Sequence, residues 1–350
     1  MTSIEKRHLP TERLALAAIL TIAAGVRCFG LGVLPAFIDE IGHIRFVNDL
    51  HPSFYQIGKV LGQYMFRPIV NHASDPLTAV RLFVAMTGVI TVLGTYLVTK
   101  QVAIAAGGNI RIAGASGLLA AALWALQPMV VFHDRMALHD PLVSLFYVWA
   151  LWASMEAFRL GDKRFAAAAG LLCGLAAMVK FPMIFLFGTC VLVGISQLPR
   201  QRWRSAWPLI AVMAAAVLPP FAMLWPNRDK FLVSVGQYAQ APDRLTLLNG
   251  NLSLVVEWFA GYNSVWYLVL LAVAFAFTLK SRKPILIALL FCFVAPVLAM
   301  CASLSFFSAR YILPILIPAT VMTGVAIPLV FALLLQPGTV PPEASVDNAI

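Results

Sequence analysis

The stretch Leu34-Pro35-Ala36-Phe37-Ile38-Asp39-Glu40 sets two adjacent carboxylates between two long apolar segments of the chain. The flanking segments, residues 14–34 and 78–98, are each long enough to cross a membrane as a helix. Charged side chains are costly at a membrane boundary and often mark a functional site when they are found there. The pattern predicts two membrane helices joined by a helical outer loop over residues 34–75, with functional carboxylates in that loop.

The composition extends this pattern to the whole chain. Hydrophobic residues make up 61% and charged residues 11% of the 350 residues, whereas a soluble domain carries about 25% charged residues. A soluble fold of this length cannot hide so much apolar surface, so we expect an all-α, polytopic membrane bundle over residues 1–335. The net charge of +10 comes from basic residues at predicted helix ends, as the positive-inside rule requires, and not from a nucleic-acid-binding patch.

About ten segments are apolar enough to be membrane helices. They are residues 14–34, 78–98, 112–132, 141–159, 165–179, 182–198, 206–224, 264–279, 284–306 and 311–335. The stretch 165–198 is interrupted only by Lys180-Phe181-Pro182 and reads either as one helix or as two. Two helices keep the basic residues on one side of the membrane, and Pro182 suits a helix start. We therefore predict a hairpin with Lys180 at its tip.

The hairpin determines the predicted topology. Both termini face the cytoplasm of a plasma or inner membrane, and the loops 35–77, 133–140 and 225–263 face outward. The Pro-containing tail, residues 336–350, is predicted to be disordered and cytoplasmic. The first apolar run is too long for a secretory signal peptide and is expected to remain as an anchor. The five cysteines lie in apolar runs and are predicted to be buried, without disulfides or metal.

Asp39 and Glu40 are the first candidate catalytic residues. On a helix their side chains point about 100° apart, so they need not act together. One can accept a proton while the other orients a group or binds a cation. The alternative is that Asp39 merely caps a helix at the membrane surface, where aspartate is favoured.

The second cluster is His133-Asp134-Arg135-Met136-Ala137-Leu138-His139-Asp140-Pro141, at the junction of two predicted spans. Asp140-Pro141 is typical of a helix start, with Asp140 as the cap and proline in the first helical position. Asp134 and Arg135 either pair with each other or serve the site. His133, Asp134 and His139 are possible ligands for a divalent metal, but their spacing is not diagnostic, so no metal is assigned.

Four basic residues form a third, scattered group. They are Arg27, Arg81, Lys180 and Arg310. Snorkelling of long side chains to the interface explains such placements, and so does binding of a phosphate or pyrophosphate. Aromatic residues surround the last large loop, namely Trp225, Trp258, Trp266 and Tyr267. They are typical of an interfacial belt, and stacking on a sugar or an isoprenoid chain is the alternative.

Taken in order, these elements resemble the GT-C glycosyltransferases over residues 14–320. The most similar families are the protein mannosyltransferases that use dolichyl-phosphate-mannose and the bacterial aminoarabinose and mannosyl transferases. The resemblance rests on Arg27, Asp39-Glu40, His51-Pro52-Ser53-Phe54, Arg81, Arg135 through Asp140-Pro141-Leu142, Gly174-Leu175-Ala176-Ala177-Met178-Val179-Lys180 and Ser308-Ala309-Arg310-Tyr311-Ile312-Leu313-Pro314. Ser53 departs from the family's His-Pro-Pro.

The resemblance implies transfer of a sugar from a polyprenyl-phosphate-linked donor to a lipid, glycan or protein acceptor at the outer face. It gives Asp39 as the base and Glu40 as the second acid. It also gives Lys180 and Arg310 as ligands of the donor phosphate. From their positions in the sequence, Arg135 is the next candidate for the phosphate, and His51, Asp134 and Asp140 are candidates for acceptor or supporting roles. One carboxylate base also implies inversion of the anomeric centre, by analogy with inverting glycoside hydrolysis.

A secondary transporter with acidic residues at its outer face is the alternative function. Transporters place acids and coupling ions near the membrane midplane, often within repeated helices. This sequence has no visible internal repeat, and most of its outer acids lie at the ends of predicted spans. Acids at the membrane midplane would favour the transporter, and acids gathered in an outer cavity beside a lipid-width groove would favour the transferase.

Overall fold

The computed structural model describes residues 3–48, 60–222, 243–262, 265–304 and 307–335, and every regular element within them is a helix. The α-helices are α1 (Ser3–Cys28), α2 (Ile38–Arg45), α3 (Val60–His72), α4 (Pro76–Ala105), α5 (Ile110–Leu126), α6 (Pro128–Asp134), α7 (Asp140–Leu160), α8 (Lys163–Val179), α9 (Leu186–Ser196), α10 (Trp207–Val217), α11 (Arg244–Tyr262), α12 (Val265–Ser281), α13 (Pro284–Ser303) and α14 (Leu316–Leu335). Short 3-10 helices lie at Leu31–Val33, Phe181–Phe185, Arg200–Ala206 and Ala309–Ile312. The all-helical fold is confirmed, and so is the helical loop after α1, which contains α2 and α3.

Two predicted features fall elsewhere in the chain. His51 and the tail 336–350 lie outside the described residues. The supporting role of His51 and the disorder of the tail therefore stay predictions.

The predicted count of ten spans is not confirmed. Within the described residues, six helical stretches are long and apolar enough to cross a membrane. A seventh is added if α5 and α6, which meet at a bend of 60°, form one span. The bend falls at Pro128, which has no N–H to continue the hydrogen bonding of α5. Helices α8, α9 and α12 are shorter, with 17, 11 and 17 residues.

Helix α4 lies at the centre of the bundle and packs against α1, α3, α5, α7 and α14. Its buried threonines satisfy their own hydroxyls, because Thr91, Thr95 and Thr99 each donate to the carbonyl oxygen four residues earlier at 2.7–2.9 Å. Spacing of four residues keeps these side chains on one face. The three buried threonine hydroxyls of α4 are therefore hydrogen-bonded within the helix and need no water.

Helix α10 approaches α8 closely at two glycines. A methyl group at Gly170 or Gly174 would overlap the backbone carbonyl oxygens of Met213 and Val217. The two glycines are one helical turn apart and so share a face, as in the small-residue contacts of membrane helices. The contact fixes the position of α8, which ends just before Lys180.

The chain reverses direction at Lys180. Helix α9 runs alongside α7 in the same direction, since Thr189 donates to the Tyr147 hydroxyl at 2.9 Å and Gln197 donates to the Met155 carbonyl at 2.7 Å. Helix α8 returns from the end of α7 and therefore runs the other way. The two-helix interpretation of residues 165–198 is confirmed, and the tip at Lys180 lies at the same end of the bundle as the start of α7.

Candidate active site

Helix α2 carries Asp39 and Glu40 in its first turn. Phe37 occupies the cap position, and its N–H donates to the Glu40 carboxylate at 2.8 Å. Glu40 therefore closes the first turn in the manner of a capping box. The alternative in which Asp39 caps the helix is not what the structure contains, since the Asp39 carboxylate pairs with Arg310 instead.

Glu40 is completely buried, and both of its carboxylate oxygens accept hydrogen bonds. The Arg81 guanidinium donates to both carboxylate oxygens at 2.8 and 2.7 Å, and the Ala137 N–H adds a bond of 2.6 Å. Burial alone would raise the pKa of Glu40, but the bonds from Arg81, Phe37 and Ala137 together outweigh burial and hold this pKa below its usual value. Glu40 is thus an ionised anchor that fixes α2 to α4 and to the segment before α7.

Arg81 also organises the chain that enters α2. It donates to the carbonyl oxygens of Leu31, Leu34 and Pro35 at 2.8–2.9 Å. With Glu40 added, the guanidinium is occupied by protein groups, and its side chain is only 1% exposed. Arg81 is therefore a structural residue and not a phosphate ligand.

Arg27, at the end of α1, is likewise a buried structural residue whose guanidinium is bonded to protein groups. Its Nε donates to Asp134 at 2.8 Å, and its terminal nitrogens donate to the carbonyl oxygens of Ala125 and Trp124 at 2.8 and 3.1 Å. The Trp124 carbonyl would bond to residue 128 in a continuous helix, but Pro128 has no N–H. Arg27 supplies the missing donor at the bend. We call Arg27–Asp134 and Arg81–Glu40 the structural pairs.

Asp134 and Arg135 do not pair with each other, although they are neighbours in sequence. Asp134 turns inward to Arg27, and Gly88 of α4 leaves the room, because a methyl group there would overlap the Asp134 carboxylate. Arg135 donates to the Phe29 carbonyl at 2.8 Å. The alternative in which Asp134 and Arg135 pair with each other is therefore wrong.

A second set of charges comes together from four separate elements. Asp39 of α2 pairs with Arg310, whose Nε lies 3.9 Å from Asp140 Oδ2, and Asp140 pairs with Lys180 at the tip after α8. We call these four residues the charge cluster. The side chains of Arg310 and Lys180 are each 10% exposed, and that of Asp140 is 7% exposed, whereas that of Asp39 is 36% exposed. The cluster therefore opens at Asp39.

Asp140 takes a role that the sequence pattern did not give it. It is the first residue of α7, and His139 holds the cap position that was predicted for Asp140. The Asp140 carboxylate is turned to Lys180 and lies near Arg310. Because it lies between two cations, Asp140 holds both of them at the same place.

Helix α2 is also docked through its histidine. His43 Nδ1 donates to the Ala137 carbonyl at 2.9 Å, and its ring stacks on His139 at a centroid distance of 4.0 Å. Phe66 of α3 packs against the His139 ring at 4.8 Å. The turn before α7 thus carries α2 on its surface and positions Asp39 over the cluster.

Two residues lie at the charge cluster in places that the sequence pattern did not predict. The ring centroid of Tyr311 lies 3.5 Å from Lys180 Nζ, a close cation–π contact. His133 is buried near enough to interact electrostatically with Asp140, Arg310 and Lys180. Tyr311 follows Arg310 directly in the sequence and was predictable from that position, whereas His133 was considered only as a metal ligand.

The residues considered as ligands of a divalent metal each contact a different partner. Asp134 pairs with Arg27, His139 stacks on His43, and His133 Nδ1 bonds to the Met129 carbonyl at 2.7 Å. In the described part of the chain, no group of three or more histidine, cysteine or acidic side chains is arranged to hold a metal ion. These residues therefore do not fit a metal site, and no reaction step is assigned to a metal.

The sequence model of the family described as dolichyl-phosphate-mannose-protein mannosyltransferase matches residues 50–224, which is half of the chain. Lys180 and Asp140 of the charge cluster lie within the matched residues, whereas Asp39 and Arg310 lie outside them. No curated protein sequence matches significantly.

Solved structures of an archaeal oligosaccharyltransferase share the fold. The oligosaccharyltransferase AglB from Archaeoglobus fulgidus, in complex with an inhibitory peptide and a dolichol-phosphate, matches with a TM-score of 0.58 at 13% identity, over 97% of this chain and 53% of that one. The A. fulgidus oligosaccharyltransferase in complex with Zn and sulfate matches at 0.55 and 14% identity, over 91% and 51%. The S. cerevisiae protein O-mannosyltransferase Pmt1–Pmt2 complex, bound to the sugar donor, matches at 0.48 and 18% identity, over 64% and 33%. The chain thus spans about half of the archaeal proteins and about a third of the yeast one.

Proposed function

Because the chain belongs to the dolichyl-phosphate-mannose-protein mannosyltransferase family, we propose that it transfers a sugar from a polyprenyl-phosphate-linked donor to an acceptor hydroxyl. The observation that carries this proposal is the charge cluster, where a partly exposed carboxylate lies beside two cations at one end of a membrane helix bundle. Sugar transfer from a phosphate carrier needs both parts, a base for the acceptor and positive charge for the leaving group.

Asp39 is the proposed base. As the acceptor oxygen bonds to the anomeric carbon, its proton passes to the Asp39 carboxylate. The bond between the anomeric carbon and the phosphate oxygen breaks, and the leaving phosphate keeps the electron pair. A single displacement of this kind inverts the anomeric centre. The 36% exposure of the Asp39 side chain supports access for an acceptor.

Arg310 and Lys180 are the proposed ligands of the donor phosphate. Arginine is suited to bidentate binding of phosphate, and lysine adds a point charge. The Arg310 Nε–H is buried and makes no hydrogen bond within the described residues, so protein groups do not fully satisfy this guanidinium. Tyr311, which covers Lys180 with its ring, is a positioning residue. Arg135 is the next candidate for the phosphate.

The remaining acids have supporting roles in this proposal. Glu40 holds α2 in place through Arg81 and is a positioning residue, although the sequence pattern assigned it to the chemistry. Asp134 acts in the same way through Arg27, and Asp140 holds the two cations. His51, outside the described residues, is proposed to contact the acceptor. The family description favours mannose as the sugar and a protein hydroxyl as the acceptor.

We place the reaction at the outer face of the membrane, with both termini in the cytoplasm. The distribution of basic residues supports this orientation through the positive-inside rule. Asn249 is exposed on α11, and its neighbour Asn251 donates to the Cys301 and Leu304 carbonyls at the site end of α13. A cysteine at position 249 should react with an impermeant thiol reagent in intact cells. Reaction only after permeabilisation would place the site on the cytoplasmic side.

The proposed activity is tested with membranes that contain the protein and a radiolabelled polyprenyl-phosphate-mannose. Label should move into the protein fraction, and the lipid and polysaccharide fractions report the other acceptor classes. Membranes with Asp39→Asn are the matched control and should transfer little label. Parallel samples with a chelator and with added divalent cations report metal dependence. Equal transfer by the variant and the natural chain would contradict the role of Asp39.

A further inference from the structure

The charge cluster balances its own charges. Asp39 pairs with Arg310, and Asp140 pairs with Lys180 while lying 3.9 Å from Arg310 Nε. Two cations therefore face two carboxylates. A sugar phosphodiester adds about one negative charge, and an extra anion in a partly buried site is costly unless it gains a cation of its own. An entering phosphate has to take a cation from one of the two carboxylates.

Of the two carboxylates, Asp39 is the one that can give up its contact with a cation. Its side chain is 36% exposed and lies on α2, a helix of 8 residues, whereas the Asp140 side chain is 7% exposed at the start of the long helix α7. Rotation about the side-chain bonds of Asp39 moves its carboxylate toward solvent. The same movement of Asp140 would leave Lys180 without a bridging anion.

The backbone of α2 stays in place during such a rotation. The adjacent Glu40 is fixed by Arg81 and by the Ala137 N–H, and His43 bonds to the Ala137 carbonyl. Adjacent side chains on a helix point about 100° apart, so Asp39 turns independently of Glu40. Glu40 therefore anchors α2, while the adjacent Asp39 can change its partner.

We propose that the donor phosphate replaces the Asp39 carboxylate on Arg310 and that this exchange releases Asp39 to act on the acceptor. The inference rests on the proposed function, because it requires phosphate at Arg310. Until the donor binds, one Asp39 oxygen is held by the Arg310 guanidinium, and the positive charge makes the carboxylate a weaker base for the acceptor's proton. In this exchange, binding of the donor restores the basicity of Asp39, so the acceptor reacts only after the donor is in place.

The test measures the affinity of the purified full chain for farnesyl phosphate, a short polyprenyl phosphate, with farnesol as the probe that lacks phosphate. Asp39→Asn removes the competing charge and should bind farnesyl phosphate about tenfold more tightly than the natural chain, as expected for one hydrogen bond to a charged group. Arg310→Gln should bind about tenfold more weakly or worse. Asp162→Asn removes the same charge at the start of α8, at the opposite end of the bundle, and should leave the affinity unchanged.

Tighter binding by Asp39→Asn, together with weaker binding by Arg310→Gln, supports the exchange. Unchanged or weaker binding by Asp39→Asn overturns the exchange, and if Arg310→Gln still weakens binding, the phosphate site stands. Unchanged binding by Arg310→Gln removes the phosphate from Arg310 and overturns the exchange together with that part of the proposed function. Asp39→Ser, which also lacks the charge, gives the same decision if Asp39→Asn does not fold.

Discussion

The structural pairs and the charge cluster use the same residue types and differ in how completely their polar groups are satisfied. In the structural pairs each guanidinium donates to a carboxylate and to backbone carbonyls, and the side chains are 0–4% exposed. In the charge cluster the Arg310 Nε–H lacks a hydrogen bond among the described residues, and Asp39 is open to solvent. Charged groups whose hydrogen bonds are all made to protein stabilise the fold. In the charge cluster the guanidinium of Arg310 is not fully hydrogen-bonded and the carboxylate of Asp39 is partly exposed, so this set can contact a substrate.

The comparison predicts its largest effect at Asp39. Asp39→Asn keeps the shape of the side chain and removes its basicity, so turnover at saturating donor should fall by about 10² to 10⁴, the contribution of a positioned base. Sugar transfer by purified variants at matched folding is the measurement. Glu40→Gln is the control, and its folded fraction should retain more turnover than Asp39→Asn. Unchanged turnover in Asp39→Asn would remove this residue from the mechanism.

Breaking a structural pair should reduce stability strongly. Arg81→Met leaves Glu40 buried without its cation, and removal of one partner of a buried pair costs about 3–5 kcal/mol. Thermal unfolding in detergent measures the loss, with Arg310→Met as the counterpart from the charge cluster. The Arg310 variant should lose less stability, because Asp39 is partly exposed and can be solvated. Equal losses would erase the distinction between the two sets.

Removal of a cation from the charge cluster should act on donor use. Lys180→Gln and Arg310→Gln should each raise the donor concentration needed for half-maximal rate by about tenfold or more, since a hydrogen bond to a charged group is worth roughly 1.5–3 kcal/mol. Initial rates over a range of donor concentrations give the result. Arg27→Gln, from a structural pair, should leave the donor dependence of its folded fraction unchanged. If both cluster variants kept the natural dependence, Arg135 would be tested next.

The smallest predicted effect is a pH dependence of stability at Glu40. Its folded pKa lies below the ordinary value of 4.5, so Glu40 contributes stability above pH 4.5 that is lost as the pH falls through the folded pKa. Unfolding of the natural chain and of Glu40→Gln, followed between about pH 7 and pH 3, should give a difference in stability that narrows with acid. A difference that stays constant over this range would mean that Glu40 is not held as an ion.

Local features of the sequence were sufficient to predict the all-helical fold and the reversal at Lys180. Apolar runs of the required length and a proline after the charged residue act through near neighbours in the chain, and both features are visible in the sequence. The helix lengths were less predictable, because composition does not reveal where a run bends. The bend at Pro128 follows from a missing N–H, yet the apolar run continues through it.

The partners of the charged residues were not predictable. Asp39 and Arg310 were each assigned to the site, but they are 271 positions apart in the chain, and only the packed bundle brings them together. A pair between Asp134 and its neighbour Arg135 was one of the alternatives, whereas in the packed bundle Asp134 pairs with Arg27 through the space at Gly88. Pairing of charges over long sequence distances depends on which helix faces meet, and neither charge nor hydropathy encodes that.

The short helices on either side of Lys180 give the protein a preferred bilayer thickness. Helix α8 has 17 residues, and the 3-10 helix and α9 that follow have 5 and 11, so each arm of the hairpin is about 26 Å long. A typical hydrocarbon core is about 30 Å thick. Lys180 is paired with Asp140 and is not free to extend to the surface. If both arms cross the bilayer as the sequence predicts, we expect the lipid around this hairpin to thin by a few ångströms. Such hydrophobic mismatch costs fractions of a kcal/mol per ångström, and reconstitution in lipids of increasing acyl-chain length should therefore lower activity while every residue of the site is intact.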